Sequence, residues 1–534
     1  MDGVKMGTLW TDGRIYTIEH ENYEVEAVFV EDGMIVATGL KKEIENQYKN
    51  RIEKVISLEG NTMLPGFVDS HLHLIGHGEK LMKLDFSEMT SSQQISEAIH
   101  DYVKDKPAGE WIIGEGWNEN QLPDRKIFHR YELDELSPNH PLMLKRICRH
   151  AVVVNTKALE LAGITDDTPN PEGGIIVRDS EGRATGYLLD QAQELVKAVI
   201  PKVTEEYLQH ALRLSIKDCL SKGLVGGHTE DLNYYGGFLR TYRGFQKVIN
   251  EDGYKFRTNL LVHHEVVEDM HRLGYSYGEG GEYLEFGAMK IFADGSLGGR
   301  TALLSYPYND SPETSGVAIH TLDELKRLVQ KARNFKMPIA VHAIGDLAFE
   351  YALDAIEEYP PLPKQRDRLI HAQILRKELI DRAKQLPVIL DIQPRFVVSD
   401  FPWVVERIGE LNMKFCYAWK TLLQEGLHCA GGSDAPIEPI DPLHGIHAAV
   451  SRRKPKGDEI HMHEQRISVF EAVRLYTTGS AYAIGKEENM GKITPGYKAD
   501  FTVLDQDIFN IQEENILSTN VVKTVINGQI MFER

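Results

Sequence analysis

Residues 64–73 read LPGFVDSHLH, a proline–glycine turn followed by an apolar run that ends in two histidines. The run is typical of a buried β-strand. Because side chains alternate across a strand, Asp69, His71 and His73 point to the same side. Two imidazoles at this spacing suit one divalent ion such as zinc. Two polar residues at a strand end explain the pair equally well when it is taken alone, so the rest of the chain has to be considered.

Length and charge narrow the class of protein. The chain has 534 residues, of which 42% are hydrophobic, enough for a large buried core in more than one domain. The formal net charge is −20, from 60 basic and 80 acidic residues, and there is no long basic run. Because an acidic surface repels phosphate backbones, nucleic acid is not an expected partner.

Cysteine spacing and apolar patterning predict the compartment. The cysteines are scattered, with no C-x-x-C pair, as is typical of free thiols in a reducing compartment: Cys148, Cys219, Cys416 and Cys429. The N-terminal residues lack the apolar core of a signal peptide. No apolar run is long enough to span a membrane. We therefore predict a cytoplasmic protein without a membrane partner.

Both ends of the chain are rich in short β-strand patterns. In the N-terminal part, Asp12-Gly13 and Asp32-Gly33 are typical of hairpin turns. The C-terminal residues show the same pattern of short strands separated by turns. Neither end carries enough apolar surface for a core of its own. We predict that residues 1–63 and 485–534 together form one small antiparallel domain, a composite β-sandwich.

Between these ends, strand patterns alternate with helix patterns. Eight strands are predicted, at Phe67–His73, Val225–Thr229, Phe256–Val262, Phe286–Phe292, Pro338–His342, Leu369–His371, Val388–Ile392 and Cys429–Asp434. Repeated strand–helix units imply a parallel sheet, and eight of them close into a barrel. We predict an α/β fold, a TIM-like (β/α)8 barrel, built from residues 64–74 and 205–484.

The connection between the first and second strands is unusually long. About 150 residues separate them, far more than an ordinary loop contains. A hairpin is predicted within this segment, with strands at Gly174–Val177 and Thr185–Leu189. The segment leaves the C-terminal rim of the barrel, where active sites of this architecture lie. We predict that residues 75–204 form an inserted subdomain that covers the site.

Six residues suited to metal chemistry fall at or just beyond the C-terminal ends of the predicted strands: His71, His73, Lys290, His342, His371 and Asp434. In a closed barrel those ends meet at one mouth. Each residue alone has an ordinary explanation, as a packed histidine, a solvated lysine or an aspartate in a turn. Together they indicate a metal centre, because metal binding needs such convergence and packing does not.

The motifs around these residues resemble the amidohydrolase superfamily, specifically its YtcJ-like branch, which also includes N-substituted formamide deformylases. The matching stretches are residues 64–73, 289–296 (MKIFADGS), 341–346 (VHAIGD), 371–373 (HAQ) and 432–436 (GSDAP). Residues 491–500 also resemble the family's return to its composite β-domain. The likeness covers essentially the whole chain, and the ordered set of motifs is far more specific than H-x-H alone.

The resemblance implies one or two divalent ions, with zinc as the expected metal. It assigns His71, His73 and Asp434 to one ion, His342 and His371 to the other, and Lys290 to a carbamate that bridges them. An ammonium has no lone pair and repels a dication, so Lys290 binds only when it is neutral or carboxylated. With an unmodified lysine, a single metal or a looser pair is expected. His228 and Glu230 are the alternative ligands.

The reaction that the resemblance implies is hydrolysis of a non-peptide carbon–nitrogen bond, an amide, in an N-acyl or N-formyl amine. A divalent ion lowers the pKa of a bound water to about 7. Asp434 is expected to take the water's proton and to return it to the departing nitrogen. Two alternatives stay open, a deaminase of a cyclic amidine and an inactive scaffold. The presence of all six candidate ligands favours an enzyme.

Three residues are candidates for contact with a small-molecule substrate. His150 is the first choice, since Arg149-His150 resemble a family pattern. Trp117 lies in a Gly-Trp-Asn motif of the insertion, and Arg300 follows Lys290 on a rim loop. Packing or solvation explains a tryptophan or an arginine equally well. The sequence leaves open which amide is the substrate and whether the protein is a homodimer.

Overall fold

The computed structural model describes residues 6–87, 89–119, 122–146, 151–201 and 203–534. The chain forms two compact units, a larger one of Met1–His77 with Leu208–Arg534 and a smaller one of Gly78–Tyr207. Among the helices of the described ranges, none is long and apolar enough to cross a membrane.

The larger unit contains a barrel sheet of eight parallel strands, labelled β1–β8 in chain order. The strands are β1 Phe67–Leu72, β2 Leu224–Thr229, β3 Arg257–His263, β4 Leu284–Phe292, β5 Ile339–Ala343, β6 Asp367–His371, β7 Val388–Ile392 and β8 Cys429–Gly431. Each strand is hydrogen-bonded to the next one in the chain, from β1 to β8. The predicted TIM-like barrel is therefore confirmed.

Burial explains the apolar pattern of these strands. Six of them, β1, β2, β3, β6, β7 and β8, are buried at every residue. Such strands read as continuous apolar runs because helices cover the barrel. The main helices of this part of the chain are Leu74–Met82, Glu205–Ser221, Phe238–Phe245, Val267–Arg272, Leu322–Asn334, Asp346–Glu358, Lys377–Ala383, Phe396–Asp400, Trp403–Ile408, Trp419–Gln424, Pro442–Ser451, Val469–Arg474 and Ser480–Ala483.

Local signals in the sequence set the helix ends. The helix Glu205–Ser221 ends before Gly223, whose φ of +81° favours glycine. The helix Leu322–Asn334 begins with the predicted capping box, in which the Thr321 hydroxyl accepts the Glu324 amide and the Glu324 carboxylate accepts the Thr321 amide. These caps fix where each helix enters and leaves the barrel layer.

The two ends of the chain share one eight-stranded sheet in the larger unit. Its strands are Gly7–Tyr16, Glu24–Glu31, Met34–Gly39, Ile52–Ser57, Thr62–Pro65, Phe501–Leu504, Val521–Ile526 and Gln529–Glu533. A short helix, Lys41–Gln47, accompanies it. The predicted turn at Asp32-Gly33 is confirmed as the link between two antiparallel strands. The ends of the chain therefore depend on each other for a common core, which includes Trp10 and Phe501.

The predicted hairpin turn at Asp12-Gly13 is wrong. Both residues lie inside the continuous strand Gly7–Tyr16, at an irregularity in its pairing with Glu24–Glu31. The reason is tertiary, since Ile52–Ser57 pairs in parallel with the first half of the strand and Thr62–Pro65 with the second half. These partners hold the strand extended, and they make the sheet mixed rather than purely antiparallel.

The smaller unit has a six-stranded sheet of its own. In spatial order the strands are Gly174–Arg178, Ala184–Asp190, Ala151–Val154, Leu142–Arg146, Ile112–Trp117 and Leu84–Asp85. Its helices are Ser92–Val103, Arg130–Leu136, Thr156–Leu161 and Ala192–Lys197. The predicted hairpin in this segment is confirmed by the antiparallel pairing of the first two strands. The long connection after β1 thus carries its own sheet and its own apolar clusters.

Candidate metal centre

Strand register brings the C-terminal ends of neighbouring barrel strands to one level. Phe292 at the end of β4 pairs with His342 in β5, and Ala343 pairs with His371 at the end of β6. In a parallel barrel, residues at these positions face the same mouth. The predicted ligands of β5 and β6 therefore become neighbours, and their ring centroids are 4.5 Å apart.

The loop after β8 is fastened to the end of β1 by backbone hydrogen bonds. The Asp434 amide donates to the His71 carbonyl at 2.8 Å, and the His73 amide donates to the Ala435 carbonyl at 2.8 Å. The buried Asp69 carboxylate accepts the amides of His71 at 3.0 Å and Ser433 at 3.1 Å. These contacts place the side chains of His71, His73 and Asp434 beside one another.

His71, His73 and Asp434 form a group that fits a metal ion, because one ligand atom from each lies within 4.8 Å of the other two. Asp434 Oδ1 is 3.5 Å from His71 Nε2 and 3.3 Å from His73 Nε2. His73 Nδ1 lies 2.6 Å from the Glu230 carbonyl, which can only accept, so Nδ1 carries a proton. The Nε2 lone pair is then directed at a carboxylate, an arrangement that requires a positive charge between them.

The pKa of His73 reflects the negative charge around this ring. Burial lowers it, but the hydrogen bond and the charge of Asp434, with Glu230 nearby, outweigh burial and raise the pKa of His73 to about 9. The site thus favours a cation, and a divalent ion meets the same demand as a proton. Burial also favours the neutral acid of Asp434, yet the hydrogen bond from His73 holds the pKa of Asp434 below its usual value.

His342 and His371 each have one ring nitrogen held by a protein acceptor. His342 Nε2 is 2.9 Å from the Gly295 carbonyl, and His371 Nδ1 is 2.7 Å from Gln393 Oε1. Each contact orients its ring and leaves the other nitrogen as a ligand, the usual arrangement around a metal. The His371 ring is also 5.7 Å from the His71 ring, so the two groups of predicted ligands adjoin.

Burial keeps three of the imidazoles in the form that binds metals. It lowers the pKa of His71 and His342 well below the usual value and that of His371 to about 4, with Lys290 adding to each decrease. Neutral imidazole is the metal ligand. These histidines are therefore available at neutral pH without loss of a proton.

Lys290, near the end of β4, lies beside His71. Its side chain is fully buried, with Nζ 3.4 Å from His71 Nε2 and 4.4 Å from the centre of the Phe292 ring. Within the described ranges no carboxylate forms an ion pair with Lys290. Burial lowers the pKa of its ammonium. Burial thus makes the neutral amine, which ligation or carboxylation requires, easier to form than at an exposed lysine.

The structure gives separate positions to the two alternative ligands. The carbonyl of Glu230 accepts from His73, and its buried carboxylate accepts the Tyr234 hydroxyl at 2.7 Å. His228 instead lines one cavity with Gly66, just before β1, and another with Arg257, at the start of β3. Glu230 therefore supports a predicted ligand, whereas His228 faces the amino-terminal end of the barrel.

Two residues that shape the centre were not predicted, Gln393 and Asp294. Gln393 follows β7, the one strand besides β3 for which the sequence indicated no site residue and no alternative ligand. The buried Asp294 carboxylate lies 3.4 Å from His342 Nε2. It also accepts three backbone amides, from Leu303 at 2.8 Å, Ile344 at 3.0 Å and Gly345 at 2.8 Å. A polar residue just past a strand end was the available signal in both cases.

The predicted substrate residues have different surroundings. Trp117 is 0% exposed and packs in an apolar cluster of the smaller unit. Arg300 lies on the loop after β4, where its guanidinium donates to Asp310 at 2.8 Å. His150 lies outside the described residues, as does Cys148, while the other three cysteines are buried free thiols. A role in substrate binding stays a prediction for His150, Trp117 and Arg300.

Comparison with known proteins extends the likeness over the whole chain. The model of the amidohydrolase family matches residues 54–532. The YtcJ amidohydrolase of Bacillus subtilis is 51% identical over 99% of this chain and 100% of its own. The N-substituted formamide deformylase of Arthrobacter pascens is 27% identical over 98% of each chain.

Solved structures agree with the sequence comparison. A metal-dependent hydrolase from Pyrococcus horikoshii superimposes with a TM-score of 0.77 at 30% identity, over 95% of this chain and 99% of that chain. The sequence motifs, the eight-stranded barrel and the grouping of His71, His73 and Asp434 all agree with this likeness. The chain therefore belongs to the amidohydrolase family, as a metal-dependent hydrolase.

Proposed function

We propose that the protein hydrolyses the amide bond of an N-formyl or small N-acyl amine. The observation that carries this proposal is the convergence of His71, His73 and Asp434, whose ligand atoms lie within 4.8 Å of one another at the mouth of the barrel. In the proposal these residues hold one zinc ion. His342 and His371 would hold a second, with Lys290, once carboxylated, as a further ligand.

Zinc held there supplies Lewis acidity toward the amide carbonyl and lowers the pKa of a water molecule to about 7. Asp434 accepts the water's proton, because its carboxylate lies at the same site as the predicted ligands, 3.5 Å from His71 Nε2 and 3.3 Å from His73 Nε2. The same carboxylate then returns the proton to the departing nitrogen. The net reaction consumes one water and releases a carboxylic acid and an amine.

The histidines have to keep their orientation during this cycle. The Glu230 carbonyl holds His73, the Gly295 carbonyl holds His342 and Gln393 holds His371. Each of these acceptors fixes which ring nitrogen carries the proton, and therefore which one is free to bind. No cysteine or serine nucleophile is needed.

The choice of an N-substituted amide with a small acyl group draws on the relatives. One of them, 27% identical over nearly the full length, is an N-substituted formamide deformylase. We expect a small acyl group to fit best, because the six side chains of the predicted metal centre share one mouth of the barrel. A cyclic amidine deaminase would use the same metal chemistry and is distinguished by its product.

The test combines metal analysis with a substrate screen. Protein loaded with zinc is expected to contain up to two ions per chain and to release an amine from N-formyl or N-acetyl amines. Asp434→Asn is expected to lose at least about 100-fold in turnover, the lower bound for a general acid–base group. The matched control is Asp252→Asn, a surface carboxylate paired with Arg213, which should be unaffected. Release of ammonia from cyclic amidines alone, or equal turnover of both variants, would contradict the proposal.

A further inference from the structure

An arc of aromatic rings runs along one side of the metal centre. It begins at His73 and continues through Tyr234, His263 and Phe292 to His342, with successive ring centroids 6.3, 6.4, 5.9 and 5.2 Å apart. The rings come from consecutive parts of the barrel, from β1 to β5. The arc therefore links a predicted ligand of one ion to a predicted ligand of the other.

Tyr234 is the member of the arc that offers an open surface. It is 50% exposed, whereas His263 is 7% exposed. Trp117, the aromatic residue that the sequence suggested for substrate contact, has no exposed surface and packs in a core. An exposed aromatic ring beside a reacting centre is the feature that pockets use to hold flat apolar groups.

The Tyr234 ring is held in place by the metal centre itself. Its hydroxyl donates to Glu230 Oε2 at 2.7 Å, and the carbonyl of Glu230 lies 2.6 Å from His73 Nδ1. Glu230 is fully buried, so this connection is rigid. A ring that is already fixed loses little conformational freedom when a ligand packs on it, which favours binding.

The surface next to Tyr234 suits an uncharged group. His263 lies beside it and is buried, with its Nδ1 3.3 Å from Asn233 Nδ2. The Glu265 side chain near His263 accepts a hydrogen bond from Asn233 at 2.7 Å. The carboxylate of Glu230 is directed at the Tyr234 hydroxyl rather than at the mouth. Besides His73, whose Nε2 lies 3.3 Å from the Asp434 carboxylate, the described rings in contact with Tyr234 are those of Tyr235 and His263.

From this geometry we infer that Tyr234 determines specificity by packing against a flat, aromatic N-substituent of the substrate amide. The inference rests on the proposed amide hydrolysis and adds the class of amine to it. The carbonyl end of the substrate then lies at the predicted metal ligands, and the amine side extends along the arc. Aromatic N-substituents are preferred over small alkyl ones for this reason.

The test compares two amides in three variants. The preference is the ratio of kcat/KM for N-(2-phenylethyl)formamide to that for N-methylformamide. Tyr234→Ala should lower this ratio by about 2- to 12-fold, the size of one aromatic contact. Tyr234→Phe keeps the ring and should keep the ratio, even if loss of the hydroxyl alters both rates. Tyr23 is 47% exposed and lies just before the strand Glu24–Glu31. The control variant Tyr23→Ala should leave kcat/KM for both amides unchanged.

Failure of the inference and failure of the proposed function give different results. If the wild type hydrolyses both amides and Tyr234→Ala keeps the ratio, the inference is overturned and the function stands. If the wild type hydrolyses neither, the function fails, and saturation-transfer NMR with benzyl alcohol decides the inference. Contact with benzyl alcohol that disappears in Tyr234→Ala and persists in Tyr234→Phe supports the aromatic site. An unchanged signal in both variants overturns it.

Discussion

Replacing Asp294 with alanine is expected to destabilise the larger unit by about 3–6 kcal/mol. The carboxylate is buried and accepts three backbone amides, from Leu303, Ile344 and Gly345, at 2.8–3.0 Å. A buried donor without a partner costs roughly 1–3 kcal/mol, so three of them reach about 3–9 kcal/mol. Water that enters the vacated space accepts hydrogen bonds from some of these amides, so the expected loss of stability is lower, about 3–6 kcal/mol.

The assay is urea unfolding followed by circular dichroism, with the free energy of unfolding as the readout. Asp310→Ala is the matched control, because Asp310 lies on the same connection between β4 and β5 and pairs at the surface with Arg300 and Arg407. Surface pairs contribute about 0–1 kcal/mol. Equal losses in the two variants would refute the reasoning, because Asp294 is buried and accepts backbone amides, whereas Asp310 pairs with arginine side chains at the surface.

The other predictions concern metal affinity and pH. Gln393→Leu removes the acceptor of His371 Nδ1. Zinc affinity, measured by competition with a chelator, should therefore fall by about 10- to 100-fold. Gln465 binds Thr421 instead, so the control variant Gln465→Leu should keep the wild-type zinc affinity. Burial, opposed by hydrogen bonds from Tyr417 and Gln373, raises the pKa of Asp400 from 3.8 to about 6. The folded protein then binds a proton more readily than the unfolded chain between pH 4 and 6, so this group makes stability fall as pH rises through that interval. Asp400→Asn should remove this pH dependence. Between pH 4 and pH 7, the free energy of unfolding of the variant, measured by urea titration, should therefore rise by roughly 2–3 kcal/mol relative to that of the wild type. A difference that is constant with pH would contradict this assignment.

Local sequence patterns were sufficient for the barrel and for the placement of His71 beside His73. Apolar runs mark β1–β8 because each strand is buried on both faces. The alternation of side chains in the stretch around His71 and His73 already directs both rings to one side. The capping box at Thr321 likewise needs only residues within one turn of helix. In each case the responsible contacts are close in the sequence, or the pattern itself records burial.

Contacts between distant segments decided the rest. Asp434 reaches His71 only because backbone hydrogen bonds and the Asp69 carboxylate fasten the loop after β8 to the end of β1. Asp12-Gly13 has the composition of a turn, but two parallel partners keep its strand extended. Composition shows which residue can turn or bind, but it does not show which partner occupies the neighbouring space.

The same reason explains the aromatic residues. Trp117 lies in the motif Gly116-Trp117-Asn118 and Tyr234 lies beside Tyr235, and neither neighbourhood shows which ring is buried. The fold buries Trp117 among apolar side chains and leaves Tyr234 half exposed beside His73. Whether an aromatic ring serves as core or as binding surface depends on what packs against it. That is a property of the tertiary structure, because burial is determined by segments far apart in the chain.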